Sequence, residues 1–216
     1  MAGKFITLEG GEGAGKSTQA PRLAAHLESA GHTVCITREP GGAPGAEAIR
    51  ELLVTGDPGR WDAAAETLLH YAARRNHLTD TIRPALARGE WVVCDRFADS
   101  TLAYQGYVGG VDKDFISEIH AQVAGDLTPD LTLILDLPPE AGLARAQARS
   151  QARSQARGEG EDRYERMGLD FHRRLRAAFL EIAANEPERC MVVDADGDME
   201  TVAARIKSAV EDRLEI

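Results

Sequence analysis

The densest chemical signal in the sequence is Gly10-Gly11-Glu12-Gly13-Ala14-Gly15-Lys16-Ser17-Thr18. It satisfies the pattern G-x-x-x-x-G-K-[ST], which chance would place in roughly 0.3% of chains of this length. Its physics is that of an anion cradle. Glycines let successive backbone N–H groups converge on one point, and the helix that follows adds partial positive charge at its N-terminus. Lys16 brings a full charge to the terminal phosphates of a nucleoside triphosphate. The Ser17 hydroxyl is a ligand for Mg²⁺.

A second cluster is Asp95-Arg96, which follows the apolar run Trp91–Cys94. In open α/β sheets ligands bind beyond the carboxyl ends of strands. Asp95 then reaches the magnesium, and Arg96 reaches the phosphate of an acceptor. Asp136 ends another apolar run and competes for the magnesium role. The N/T-K-x-D tetrapeptide that reads guanine is missing: around Lys113, Asp112 precedes and Phe115 stands where the aspartate should be. The serine-glycine-glycine signature of transporter ATPases is missing too. A kinase of small phosphorylated acceptors fits better, since it needs arginines at a second phosphate site and a way to exclude water.

These groups need a scaffold that holds them at strand ends. Five short apolar runs supply it: Phe5–Leu8, Val34–Thr37, Trp91–Cys94, Leu131–Leu135 and Met191–Val193. Each is nearly continuous rather than alternating, as in strands buried on both faces of a parallel sheet. Helical patterns are expected between them, at about 16–30, 44–55, 61–88, 113–125, 139–157, 168–185 and 198–214. Strand alternating with helix is the signature of a three-layer α/β fold.

The 216 residues carry 25 Lys and Arg against 35 Asp and Glu, a net charge of −10. A chain this acidic is a poor generic ligand for nucleic acid or anionic membrane, so no such partner is expected. Aromatic residues are only 5%, too few for a base-stacking platform. No apolar run approaches the length of a membrane span. Cys35, Cys94 and Cys190 are widely spaced beside apolar residues, which points to reduced thiols and a cytoplasmic setting. One segment is compositionally odd. From Ala144 to Arg157 a near-repeat of four residues places Arg145, Arg149, Arg153 and Arg157 at equal spacing. On a helix that period drifts only about 40° per step, giving one slowly turning arginine stripe.

Further segments then join the cradle in order: Thr37-Arg38-Glu39-Pro40-Gly41-Gly42, Tyr71-Ala72-Ala73-Arg74, Asp95-Arg96-Phe97, Ser100-Thr101-Leu102-Ala103-Tyr104-Gln105-Gly106 and Pro129-Asp130-Leu131-Thr132. With them the chain resembles the bacterial thymidylate kinases, P-loop proteins of the nucleoside-monophosphate-kinase type, over essentially its whole length. The resemblance implies one domain spanning 1–216 with a mobile lid at about 144–166, and a five-stranded parallel sheet flanked by helices. It implies Mg-dependent transfer of the ATP γ-phosphoryl group to dTMP, giving dTDP for dTTP biosynthesis. It also implies a homodimer.

Residue roles follow from the same resemblance. Arg96 looks like the arginine that grips the dTMP phosphate. Arg74 looks like the thymine reader, Gln105 like the residue on the base edge with Thr101 beside it, and Tyr104 like the sugar-side residue. Glu39 resembles a residue that supports the direct contacts from behind, and Arg50 a phosphate-side contact. Glu12 resembles the acidic residue near the 3′-hydroxyl and the magnesium. The cradle has no arginine, so the catalytic one is expected from the lid. Arg157 matches best, with Arg149 and Arg153 competing because the repeat shifts the match by four or eight residues. His70 stands where the family has a phenylalanine stacked on the base. An imidazole stacks with less apolar area and titrates, so weaker or pH-dependent base affinity is expected. The readings set against this one are a cytidylate-like kinase and a catalytically silent nucleotide binder.

Overall fold

The computed structural model describes residues 3–157 and 162–216, and for 149–157 the backbone alone. Five strands form one parallel sheet: β1 (Phe5–Glu9), β2 (Val34–Arg38), β3 (Trp91–Asp95), β4 (Leu131–Asp136) and β5 (Cys190–Asp194). Each contains the apolar run expected there. Their spatial order is β2-β3-β1-β4-β5. The chain moves from β1 to one side for β2 and β3, then crosses back for β4 and β5. The carboxyl ends of β1 and β3 therefore flank the point where strand order reverses, the place where α/β sheets bind ligands. Leu8 lies opposite Asp95 in the register, so the cradle after β1 and the Asp95-Arg96 turn after β3 emerge side by side.

The helices are α1 (Lys16–Ser29), α2 (Pro44–Val54), α3 (Ala63–His77), α4 (Arg83–Ala87), α5 (Ala98–Thr101), α6 (Lys113–Ala124), α7 (Pro139–Arg157), α8 (Leu169–Asn185) and α9 (Met199–Leu214). Alternation along the strands sends side chains to two cores. Ile6, Leu8, Leu131, Leu133 and Leu135 pack on Leu23 and Leu27 of α1 and on Val202, Ile206 and Val210 of α9. On the other face Phe5, Val92 and Cys94 meet Leu78, Ile82 and Phe97, while Ile134 meets Leu175, Phe179 and Ile182 of α8. Each such buried side chain contributes about 1.5–3 kcal/mol. Local caps start several helices: Asp62 accepts from Ala65 N at 2.7 Å and Asp198 from Thr201 N at 2.7 Å.

Two stretches differ from the sequence expectation. The helix expected over 61–88 is α3 and α4 joined by a π-helical turn, Leu78–Ile82. The stretch Ala98–Val108 falls in none of the expected helices, yet it is α5 followed by a π-helical segment, Leu102–Val108. Its start has no local side-chain cap. Instead the Glu9 carboxylate of β1 accepts from Phe97 N at 2.7 Å, Ser100 N at 3.2 Å and Ser100 Oγ at 2.6 Å. An acid at that end also suits the helix dipole.

Candidate active site

The cradle wraps the end of β1. Gly15 has φ +97° and precedes α1, whose start carries no side-chain cap. That conformation suits glycine, and it leaves the helix N-terminus to an anion. Lys16 is buried, and its Nζ donates to Gly10 O at 3.0 Å and Gly11 O at 2.7 Å. These bonds hold the ammonium over the loop. Burial, then repulsion from Arg96, lowers its pKa to about 8. The protonated form is the one that binds phosphate. The kcat/KM for ATP, which reports groups of the free enzyme, is thus expected to fall as pH rises through about 8. A steady-state profile that stays flat across the alkaline range would contradict this role.

Ser17 Oγ donates to Asp95 Oδ2 at 2.6 Å. A hydroxyl and a carboxylate side by side at the cradle are an oxygen-only pair of the kind Mg²⁺ accepts. That ion takes one or two protein oxygens and completes its shell from phosphates and water. The residues therefore fit magnesium. Asp136 does not share this position. It forms a two-armed pair with Arg176, at 2.6 and 2.8 Å, below the cradle.

Arg96 lines, with the cradle, a cleft of about 300 Å³. Its φ of +71° is rare outside glycine. The turn is fixed by Arg96 N donating to Leu8 O at 2.9 Å. The guanidinium donates to Gly10 O (3.0 Å), Ser100 Oγ (3.2 Å) and Glu12 Oε1 (2.8 Å). Tyr104 Oη donates to the same Glu12 oxygen at 2.8 Å. Burial by itself would raise the Glu12 carboxyl. Arg96, Lys16 and the Tyr104 hydrogen bond outweigh it and hold the pKa at about 2. Glu12 is thus a fixed negative charge between two cations.

The far end of the cleft is built from α3 and the Ala98–Val108 stretch. Arg74 is buried. Its Nε meets Glu39 Oε2 at 2.8 Å, and its Nη2 meets Phe97 O and Thr101 Oγ1, both at 3.0 Å. The Arg74 Nη1 is buried with no partner among the described residues. Glu39 is held on its other oxygen by His77 Nδ1 at 3.0 Å. Arg74 and His77 keep the Glu39 pKa low against its burial. Gln105 lines the cleft, donates from Nε2 to Glu66 Oε2 at 2.8 Å, and buries an Oε1 with no partner among the described residues. Arg50 also lines the cleft and donates to Pro40 O at 2.7 Å.

The structure therefore brings together Lys16, Ser17, Asp95, Arg96, Glu12 and Tyr104 at one end, and Glu39, His70, Arg74, Thr101 and Gln105 at the other. Arg74 and Thr101 sit one layer behind the wall formed by Glu39 and Gln105. His70 lines the cleft with its Nε2 3.4 Å from Tyr164 Oη. Burial, then Arg74, pushes its pKa down to about 3. A ring pushed in that direction stays neutral near physiological pH, so the KM for dTMP is expected to be flat between about pH 6 and 8, and a KM that changes across that range would restore a titrating role for His70. The side chain of Arg157, with those of Arg149 and Arg153, lies outside the described residues.

Arg38, Tyr164 and Glu165 also line the cleft, without having been singled out from the sequence as site residues. Arg38 was findable, since it ends β2 as Asp95 ends β3. Tyr164 and Glu165 reach the cleft only through the turn after α7, and no local pattern marks that.

A triphosphate cradle facing a second, arginine-backed pocket across one cleft is the layout of a nucleotide kinase, and comparison with known proteins narrows it. Residues 8–206 match the family model described as thymidylate kinase. The chain belongs to the thymidylate kinase family. It is 57% identical over 212 residues to a thymidylate kinase of Caulobacter vibrioides, covering 98% of each chain. It is 54% identical over 215 residues to one of Rhodopseudomonas palustris, covering 99% of this chain and 91% of that one. The crystal structure of thymidylate kinase from Ehrlichia chaffeensis superposes with a TM-score of 0.76 at 32% identity, covering 97% of this chain and all of that one. Against the thymidylate kinase fold, the expected three-layer P-loop architecture and five-stranded parallel sheet hold.

Proposed function

We propose that the cradle end of the cleft takes ATP with magnesium, and that the Arg74–Gln105 end takes the thymine of dTMP. The reaction follows from family membership: this chain phosphorylates dTMP to dTDP and is a phosphotransferase. The observation that carries the assignment of ends is that two buried atoms at this end, Arg74 Nη1 and Gln105 Oε1, have no partner among the described residues. A donor and an acceptor left unsatisfied at one end of the cleft, one in its wall and one in the layer behind, are costly unless a ligand completes them. Thymine offers the complement on adjacent atoms: the O4 carbonyl accepts and N3–H donates. Cytosine offers the reverse at both.

Between the ends, Arg96 and Arg50 hold the acceptor phosphate, and Glu12 with Tyr104 fixes the Arg96 fork. Magnesium, when bound, offsets charge on the donor phosphates. Lys16 places and neutralises the terminal phosphate, and Asp95 orients Ser17. The acceptor is already an anionic phosphate, so no residue is needed as a general base. Catalysis reduces to alignment and charge neutralisation. A lid arginine, Arg157 by the pattern, completes the site on closure. The homodimer and the cytoplasmic setting are part of this proposal, supported by the resemblance. No helix among the described residues is long and apolar enough to cross a membrane. The net charge of −10 argues against nucleic acid as a partner.

The test is ADP release with ATP, Mg²⁺ and a panel of dTMP, dUMP, dCMP and AMP. We expect dTMP to give the highest kcat/KM, dUMP to be accepted less well, and dCMP and AMP to be poor. Equal turnover of dCMP and dTMP would remove the assignment of Arg74 and Gln105.

A further inference from the structure

Glu66 bonds no cradle residue among the described residues, yet it holds one arm of the Gln105 amide. It is buried on α3. One of its oxygens takes Arg163 Nη2, and the other takes Gln105 Nε2 at 2.8 Å and Tyr164 Oη at 3.4 Å. Arg163, fully buried in the turn after α7, gives three more donors to the carbonyls of Leu53 (3.1 Å), Asp57 (3.0 Å) and Pro58 (2.8 Å). The carboxylate is therefore clamped from behind and faces Gln105 only as an acceptor.

A glutamine amide can sit in either of two orientations, with its oxygen and nitrogen exchanged. Opposite a carboxylate only one is tolerable. The other would bury two acceptors against each other, which carries the desolvation cost of both. The carboxylate thus commits Nε2 to itself and leaves Oε1, buried and without a partner among the described residues, as the free arm of a side chain that lines the cleft. A carbonyl oxygen there accepts from the N3–H of thymine or uracil. It repels the N3 lone pair of cytosine.

We propose that Glu66, held by Arg163, is a positioning residue that sets the pyrimidine preference of the acceptor pocket by locking the amide orientation of Gln105. This deepens the assignment of Gln105 to the base edge and rests on it. A neutral amide at position 66 can donate or accept, so Glu66→Gln frees the Gln105 amide to turn.

The experiment measures kcat/KM for dTMP and dCMP on the same preparation of the full chain, so that the active fraction cancels in the ratio. Glu66→Gln is expected to lower the dTMP:dCMP ratio by about tenfold or more, because a hydrogen-bonding site discriminates through the partner it leaves unpaired. Arg74 still opposes the cytosine amino group, so the preference shrinks without reversing. Glu66→Asp, which keeps an acceptor-only group, is expected to stay nearer the wild-type ratio. If Glu66→Gln does not fold because the Arg163 charge is left alone, Glu66→Gln/Arg163→Gln removes that charge and is read the same way. A merely structural role would lower both substrates alike and leave the ratio in place, which overturns the proposal. Gln105→Leu separates the two failures. If it lowers the ratio and the Glu66 variants do not, Glu66 is not the positioning residue and the base assignment stands. If none of them moves it, the base assignment falls and the proposal with it.

Discussion

Arg96→Met is expected to lower kcat by about 10³-fold, the scale seen when a preorganised cationic donor is removed from a phosphoryl-transfer or oxyanion site. Methionine keeps much of the length and apolar body of the side chain, so packing against the Tyr104 ring, 5.2 Å from the guanidinium, is largely retained. What disappears is a planar fork that meets Gly10 O, Ser100 Oγ and Glu12 Oε1 together. Glu12 is held ionised against its own burial first by Arg96, then by Lys16. Without the guanidinium, Lys16 is the main charge left to balance that carboxylate, with the Tyr104 hydrogen bond beside it, which draws the ammonium away from phosphate. Arg96→Lys is expected to recover only part of the rate, because a point charge cannot serve three acceptors arranged for a fork. Steady-state rates at saturating ATP and dTMP, with circular dichroism to check folding, decide it. A loss smaller than about tenfold, the value of one ordinary hydrogen bond, would place the main charge-stabilising group elsewhere.

That prediction uses a turn legible in the sequence, and much of the scaffold was legible in the same way. The strands are short apolar runs buried on both faces, so hydrophobicity marks them wherever the sheet puts them. The cradle is legible because its chemistry is local: the glycines, Lys16 and Ser17 are consecutive in the chain. The Ala98–Val108 stretch is not legible. Its cap is Glu9, separated from Phe97 by 88 positions, and polar or β-branched residues such as Asp99, Ser100 and Thr101 give weak helix signals of their own. The clamp on Gln105 is hidden for the same reason. Arg163 and Glu66 lie 97 residues apart, and each alone reads as an ordinary surface charge. A buried ion pair declares itself only when the fold brings both partners together.

Gly13→Ala is expected to lower kcat/KM for ATP by about 10²-fold or more, since displacing a reacting group by about an ångström can cost that much. Gly13 has φ +70°, where an L side chain costs about 1–2 kcal/mol. The larger problem is space. A Cβ there would lie 1.9 Å from Gly142 O and 2.6 Å from Gly142 C, both backbone atoms in the first turn of α7. Neither can swing away as a flexible side chain would. Either the loop bearing Glu12 and Lys16 moves, or the start of the helix leading into the lid region moves. The contact is reciprocal: a Cβ on Gly142 would lie 2.4 Å from Glu12 O. Gly142 is in the α7 helix, where alanine carries no conformational penalty, so Gly142→Ala isolates the close approach. Both variants are expected to raise KM for ATP, with Gly13→Ala the worse of the two. A Gly142→Ala enzyme with wild-type kinetics would mean that the loop and α7 can separate without loss. The activity would then depend on the conformation of Gly13 alone, and contact between cradle and lid helix would have no part in aligning the triphosphate.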